Sequence, residues 1–77
     1  MTDIESRLIT LAAKRFDKDA SKFEANDDFF EKLGIDSYQA MDMLTELEEA
    51  FDVEIPDYEL GGINTFSGLA ELIGRRL

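Results

Sequence analysis

Three stretches of this chain place apolar residues three and four apart, and no run alternates convincingly at period two. Helices return a side chain to the same face at about that spacing, whereas strands need alternation, so the pattern restricts the chain to helices. In the first stretch Ile4, Leu8, Leu11, Ala12 and Phe16 gather on one face and predict a helix over 3–16. Asp3 and Glu5 near its start and Lys14 and Arg15 near its end complement the helix dipole. A second helix is predicted over 37–51, where Ala40, Met43, Leu44, Leu47, Ala50 and Phe51 share an arc of about 120° that faces a core. Tyr38, Met41, Thr45 and Glu48 form the neighbouring strip, with Asp42 and Glu49 further round, so two large apolar residues lie outside the core arc beside carboxylates. A third helix is predicted over 65–76, with Thr65 as N-cap and Phe66, Leu69, Ala70, Ile73 and Leu77 on one face.

The connections are unequal. Residues 17–36 are long enough to require a function or structure of their own. Phe23, Phe29, Phe30 and Leu33 are expected to pin this segment, and Asp27–Lys32 to form a single turn ending at Gly34, where a positive φ is easily accommodated. After Pro56, residues 57–60 suit one or two helical turns before Gly61-Gly62 stops them. Val53-Glu54-Ile55 alternates, but too briefly for a strand. The expected architecture is all-α: a small bundle of three long helices plus one short helix, in one domain spanning 1–77.

Composition then narrows the chemistry. A 77-residue chain has room for one small core and little for a catalytic cleft. It has no cysteine, hence no disulfide, thiolate zinc site or thiol nucleophile, and no histidine, the commonest general base and metal ligand. Triad-type catalysis is therefore not expected. A formal charge of -10 argues against nucleic acid and anionic membrane surfaces, which need clustered Lys and Arg, and points to basic partners. With 44% hydrophobic and 34% charged residues the chain can still bury a core. No apolar run approaches the roughly 18 residues of a membrane span, and Asp3 and Glu5 are unlike a signal peptide, so a cytoplasmic protein is expected. The charges are also polarised: residues 1–32 hold 8 acids and 6 bases, while 33–77 hold 10 acids and only Arg75 and Arg76 as bases.

Three groups of residues invite a functional reading. Gly34-Ile35-Asp36-Ser37 leads into the central helix, where Asp36 or Ser37 is suited to cap the first turn. A serine there is equally suited to carry a phosphate, because exposed N–H groups and the positive dipole end favour an anion. In the central helix Asp42, Glu46, Glu48 and Glu49 have no Lys or Arg four residues on. Like charges at that spacing repel by some tenths of a kcal/mol. With exposed Tyr38 and Met41 beside them, they read either as a solvated face or as a docking surface for an Arg/Lys-bearing partner. Asp17, Asp19 and Ser21 match the opening positions of a calcium loop, but Lys22 stands where the sharp turn needs glycine and Asp28 where a bidentate glutamate is needed, so no metal site is assigned.

Taken together, the chain resembles the acyl carrier protein family. The resemblance is carried by Asp28-Phe29-Phe30-Glu31-Lys32-Leu33-Gly34-Ile35-Asp36-Ser37, by Leu47-Glu48-Glu49-Ala50-Phe51-Asp52-Val53-Glu54-Ile55-Pro56-Asp57, and by the helix opening at Thr65-Phe66. It covers nearly the whole chain. It implies a carrier, not an enzyme, with a phosphopantetheine arm attached covalently to Ser37 by a phosphopantetheinyl transferase that draws on coenzyme A. The arm supplies the thiol that the chain lacks, and Asp36 helps the transferase engage. By position Tyr38, Met41, Asp42, Glu48, Glu49 and Asp57 match the family's partner-facing sites, met by acyl-transferring, condensing and reducing enzymes with basic surfaces. The bundle is then expected to part and admit the acyl chain between its Leu, Ile, Met and Ala side chains, with Met43, Leu47, Ile63 and Leu69 as reporters.

Departures from the family pattern fall on that same surface. Tyr38 follows the serine where leucine is usual in fatty-acid carriers, Gln39 replaces a frequent acid, and Thr45 takes a common methionine position. They favour a dedicated partner set, as in polyketide or modified-lipid synthesis, over general fatty acid synthesis, and the acidity disfavours an aminoacyl or peptidyl carrier. The start at Met1 and the lack of linker-like ends suggest a free-standing carrier, and a monomer is expected. The alternative function class is an acidic protein-interaction or cation-binding domain in which Ser37 is only a cap.

Overall fold

The computed structural model describes residues 2–77. It consists of α1 (Asp3–Arg15), a 3₁₀ turn (Ala20–Lys22), α2 (Phe29–Leu33), α3 (Ser37–Phe51), a second 3₁₀ turn (Asp57–Leu60) and α4 (Phe66–Gly74). The all-α bundle of three long helices is as the periodicity dictates, and among the described residues β pairing is confined to one isolated bridge, Asp28 with Thr65. The short helix expected at 57–60 is a 3₁₀ turn, and the single turn expected near Asp27–Lys32 is the five-residue α2.

Local chemistry sets the ends of these elements. Thr2 and Glu5 form a capping box at the start of α1: the Glu5 N–H donates to the Thr2 hydroxyl at 3.1 Å, and the Thr2 N–H donates to the Glu5 carboxylate at 2.7 Å. Asp28 caps α2, whose C-terminus turns through Gly34 at φ 67° as expected. Thr65 caps α4 by accepting from the Gly68 N–H at 3.1 Å. The last helix is shorter than 65–76. After Gly74, a poor helix former, the Arg76 and Leu77 N–H groups donate three residues back, to Ile73 and Gly74. Leu77 therefore never reaches the core face assigned to it and stands 69% exposed.

The core runs between α1, α3 and α4. Leu8, Met43, Leu47, Phe66, Leu69 and Ile73 are its most deeply buried large side chains. Phe66 is the hub, with ring centroids 5.7 Å from Phe23 and 6.0 Å from Phe29. Burial on the long helices is wider than single stripes: Ile9, Ala13 and Leu72 are also buried, because α1 packs on both α3 and α4 and so covers two flanking rows. Phe16 and Leu11 are only half-buried at the rim.

Candidate functional site

The corner between α2 and α3 is built from four consecutive residues. Gly34 takes the left-handed conformation, Ile35 plugs into the core with its N–H donating to Phe30 O at 3.0 Å, and Asp36 caps α3. Asp36 Oδ1 accepts from the Gln39 N–H at 2.9 Å while Gln39 Oε1 accepts from the Asp36 N–H at 3.1 Å, a reciprocal capping box. The cap is thus Asp36, which leaves the exposed Ser37 hydroxyl free of that duty at the positive end of a 15-residue helix. Gln39, met in the sequence as the loss of a frequent acid, earns its place as the return half of this box. Asp36→Ala is expected to lower stability by about 1 kcal/mol; an unchanged urea midpoint would show that Asp36 is not the cap that orders this corner.

Ser37 also sits at an apolar cleft of about 180 Å³. α2 supplies Phe29 and Phe30, α3 supplies Ala40, Met41, Met43 and Leu44, and the far wall is Leu60, Ile63 and Leu69. Ser37 is the one polar lining residue. Of the expected reporters, Met43, Ile63 and Leu69 line this cleft; Leu47 is buried in the core and does not. No sequence pattern points to the cleft, since its walls come from four separate segments.

The six residues assigned to partner contact do not share one environment. Tyr38 is 86% exposed and Met41 41% exposed, and Asp42, Glu49 and Asp57 are exposed carboxylates. Glu48 is half-buried and works within the fold: its Oε2 accepts from the Ile55 N–H at 2.7 Å, fixing the chain as it leaves α3. The acids without a base nearby in sequence find some across the fold. Arg15 reaches Glu46 at 2.7 Å, and Arg76 pairs with Glu59. Arg7 donates to Ala50 O at 2.7 Å and lies 4.5 Å from the Phe51 ring centroid, placing a cation at the C-terminal end of α3, where the helix itself has none. Among the described residues Asp42, Glu49, Glu54 and Asp57 carry no ion pair. Of the calcium-loop positions, Asp19 accepts from the Ser21 hydroxyl at 2.7 Å and the Ser21 N–H at 3.0 Å, which hold its carboxyl below the usual carboxylate range.

Comparison with known proteins turns this geometry into a family assignment. Residues 6–73 match the family described as the phosphopantetheine attachment site. The whole chain aligns with an acyl carrier protein of Phenylobacterium zucineum (strain HLK1), 31% identical over 77 residues that cover 98% of that relative. The chain belongs to the acyl carrier protein family. Its cofactor is accordingly phosphopantetheine, and acyl carrier proteins act as carriers alongside separate enzymes. An exposed serine hydroxyl at a helix N-terminus fits such a group: it can form the phosphodiester, and the helix end tolerates the charge. No helix among the described residues is long and apolar enough to cross a membrane.

Proposed function

We propose that the chain is one carrier domain whose Ser37 bears phosphopantetheine and presents acyl intermediates, held as thioesters on the arm, to enzymes of fatty acid, polyketide or modified-lipid synthesis. The observation that carries this reading is the placement of Ser37: exposed, relieved of capping by Asp36, and on the rim of an apolar cleft. The arm supplies a thiol to a chain without cysteine. Around it, Ser37 would fix the point of attachment, the N–H groups of the first turn of α3 would favour the negative charge of a phosphate, and the cleft would offer an acyl chain an apolar surface away from water. Intact mass after incubation with coenzyme A and a broad-specificity phosphopantetheinyl transferase tests it. A gain of one phosphopantetheine is expected, and an unmodified chain under conditions that load a control carrier overturns the reading.

The acyl group makes a separate expectation. Loading a saturated chain shifts the NMR signals of Met43, Ile63 and Leu69, which line the cleft, and leaves Leu47 nearly unmoved. A response confined to residues beside Ser37 would mean that the cargo stays in solvent.

Partner docking is assigned to Tyr38, Met41, Asp42, Glu49 and Asp57, with Glu48 at the edge. Exposed carboxylates steer a basic enzyme surface, and the apolar pair Tyr38 and Met41 gives a contact that sheds water on docking. Departures at Tyr38, Gln39 and Thr45 from the common family pattern fit a dedicated partner set. Glu49→Lys is expected to weaken transferase binding severalfold with no loss of stability. Glu48→Lys is expected to do both, because the Ile55 N–H loses its acceptor, at about 1–3 kcal/mol. Equal urea midpoints for the two variants would remove the fold role given to Glu48. The carrier is proposed to act in the cytoplasm as a monomer.

A further inference from the structure

The two walls of the cleft are held in different ways. On one side α2 is laced to the entrance of α4. Asp28 Oδ1 accepts from the Glu31 N–H at 3.1 Å, and its Oδ2 accepts from Asn64 Nδ2 at 3.0 Å. The Phe29 N–H donates to Asn64 O at 2.9 Å and the Ser67 N–H to Ala25 O at 2.7 Å. Phe29 and Phe30 therefore stand on a wall fixed from several directions.

The opposite wall is a strap, residues 56–63, slung between two anchors. At one end Ile55 is buried and bonded to Glu48; at the other Asn64 is bonded to Asp28. Between them the second 3₁₀ turn has no side-chain cap and buries no residue, Tyr58 is 85% exposed, and Gly62 takes φ 80°. The strap nonetheless contributes Leu60 and Ile63 to the cleft. The ion pair between half-buried Glu59 and exposed Arg76 ties its middle to the turn that follows α4.

We infer that Arg76 is a positioning residue that, through Glu59, holds this strap in place beside the C-terminal end of α4 and sets how large an apolar cargo the cleft accepts. The inference rests on the carrier reading of Ser37 and the cleft. A cleft of about 180 Å³ offers a short apolar chain room as it stands. A longer chain needs a wall to move. The laced wall resists from several bonds, while the strap, beyond the packing of Leu60 and Ile63, has among the described residues one polar tie to another element, the Glu59–Arg76 pair near the surface, so the strap yields first.

The test begins with the unmodified full chain. Amide hydrogen exchange at 58–63 is expected to quicken about two- to fivefold in Arg76→Gln and Glu59→Gln, the effect of losing one such pair. Arg76→Lys and the charge-swapped Glu59→Arg, Arg76→Glu double variant are expected to restore most of the protection. High salt should narrow the difference from wild type, as it would not if Arg76 merely packed. Exchange in Arg76→Gln equal to wild type overturns the inference, with helical circular dichroism confirming that the variant is folded.

The second arm loads wild type and Arg76→Gln with saturated chains from butyryl to dodecanoyl and follows the Leu60 and Ile63 methyl signals. In wild type the shifts are expected to grow with chain length and then level off; in Arg76→Gln they level off at a longer chain. The same limit in both proteins overturns the role of Arg76 while leaving the carrier reading intact. Chains that load yet never perturb Leu60 or Ile63 refute the cleft as cargo site and the inference with it, whereas failure to load at all refutes the carrier reading itself.

Discussion

Ser37→Ala protein incubated with coenzyme A and a broad-specificity transferase is expected to keep its mass while wild type gains one phosphopantetheine. The effect is all or none, because alanine lacks the oxygen that would form the phosphodiester. The structure also predicts what this substitution leaves alone. Asp36 and Gln39 make the capping box, and Ser37 is an exposed first-turn residue, so stability should change by no more than about 0.5 kcal/mol. That separates a modification site from a cap: Asp36→Ala weakens the fold and keeps the hydroxyl, while Ser37→Ala keeps the fold and loses the hydroxyl. A mass gain that persists in Ser37→Ala would place the arm on another residue, and a large loss of stability would return Ser37 to a structural role.

Phe66→Ala should produce the largest change in stability. Its side chain is 0% exposed, and the rings of Phe23 and Phe29 pack on it from the α1–α2 connection and from α2. Truncation leaves a cavity that these two rings cannot fill without abandoning the bonds that hold residues 25–29 to 64–67. A loss of about 3–5 kcal/mol is expected, against the roughly 5–15 kcal/mol that holds a folded protein together. The urea midpoint should fall steeply, and near-ultraviolet dichroism should show the phenylalanine cluster loosened. Phe66→Leu, which refills most of the volume, should lose less. A midpoint within error of wild type would mean that the bundle is not centred on this ring.

Much of this fold is written in the local spacing of residues. α3 occupies 37–51 in the structure as in the pattern, because a capping aspartate marks one end and Asp52, in the left-handed conformation at φ 55°, marks the other. The turn at Gly34 and the cap at Thr65 are equally local, and the Thr2–Glu5 box was readable as Thr-x-x-Glu although it does not figure in the periodicity. What spacing cannot report is which distant segment covers a face. The second buried row on α1 exists only because two helices lie against it, and Leu77 loses its place because the helix ends at Gly74.

The candidate site divides along the same line. Ser37 and Asp36 stand out within four residues of sequence, but the cleft needs Phe29, Leu44, Leu60 and Leu69 brought together by the fold. The unpaired look of the central acids was likewise a property of sequence neighbourhood. Arg15 and Arg76 reach Glu46 and Glu59 from elements far away along the chain, and Glu48 serves a backbone N–H that only the folded connection presents.

Six of the eight bases precede residue 33, where they nearly balance 8 acids, while residues 33–77 hold 10 acids and two bases. Net negative charge is thus concentrated in the second part of the chain, which gives the body an electric dipole moment in addition to its net charge. In the field of a basic enzyme such a body feels a torque as well as a pull. It turns its acidic side forward before contact, and added salt should scramble the orientation of approach as well as slow its rate.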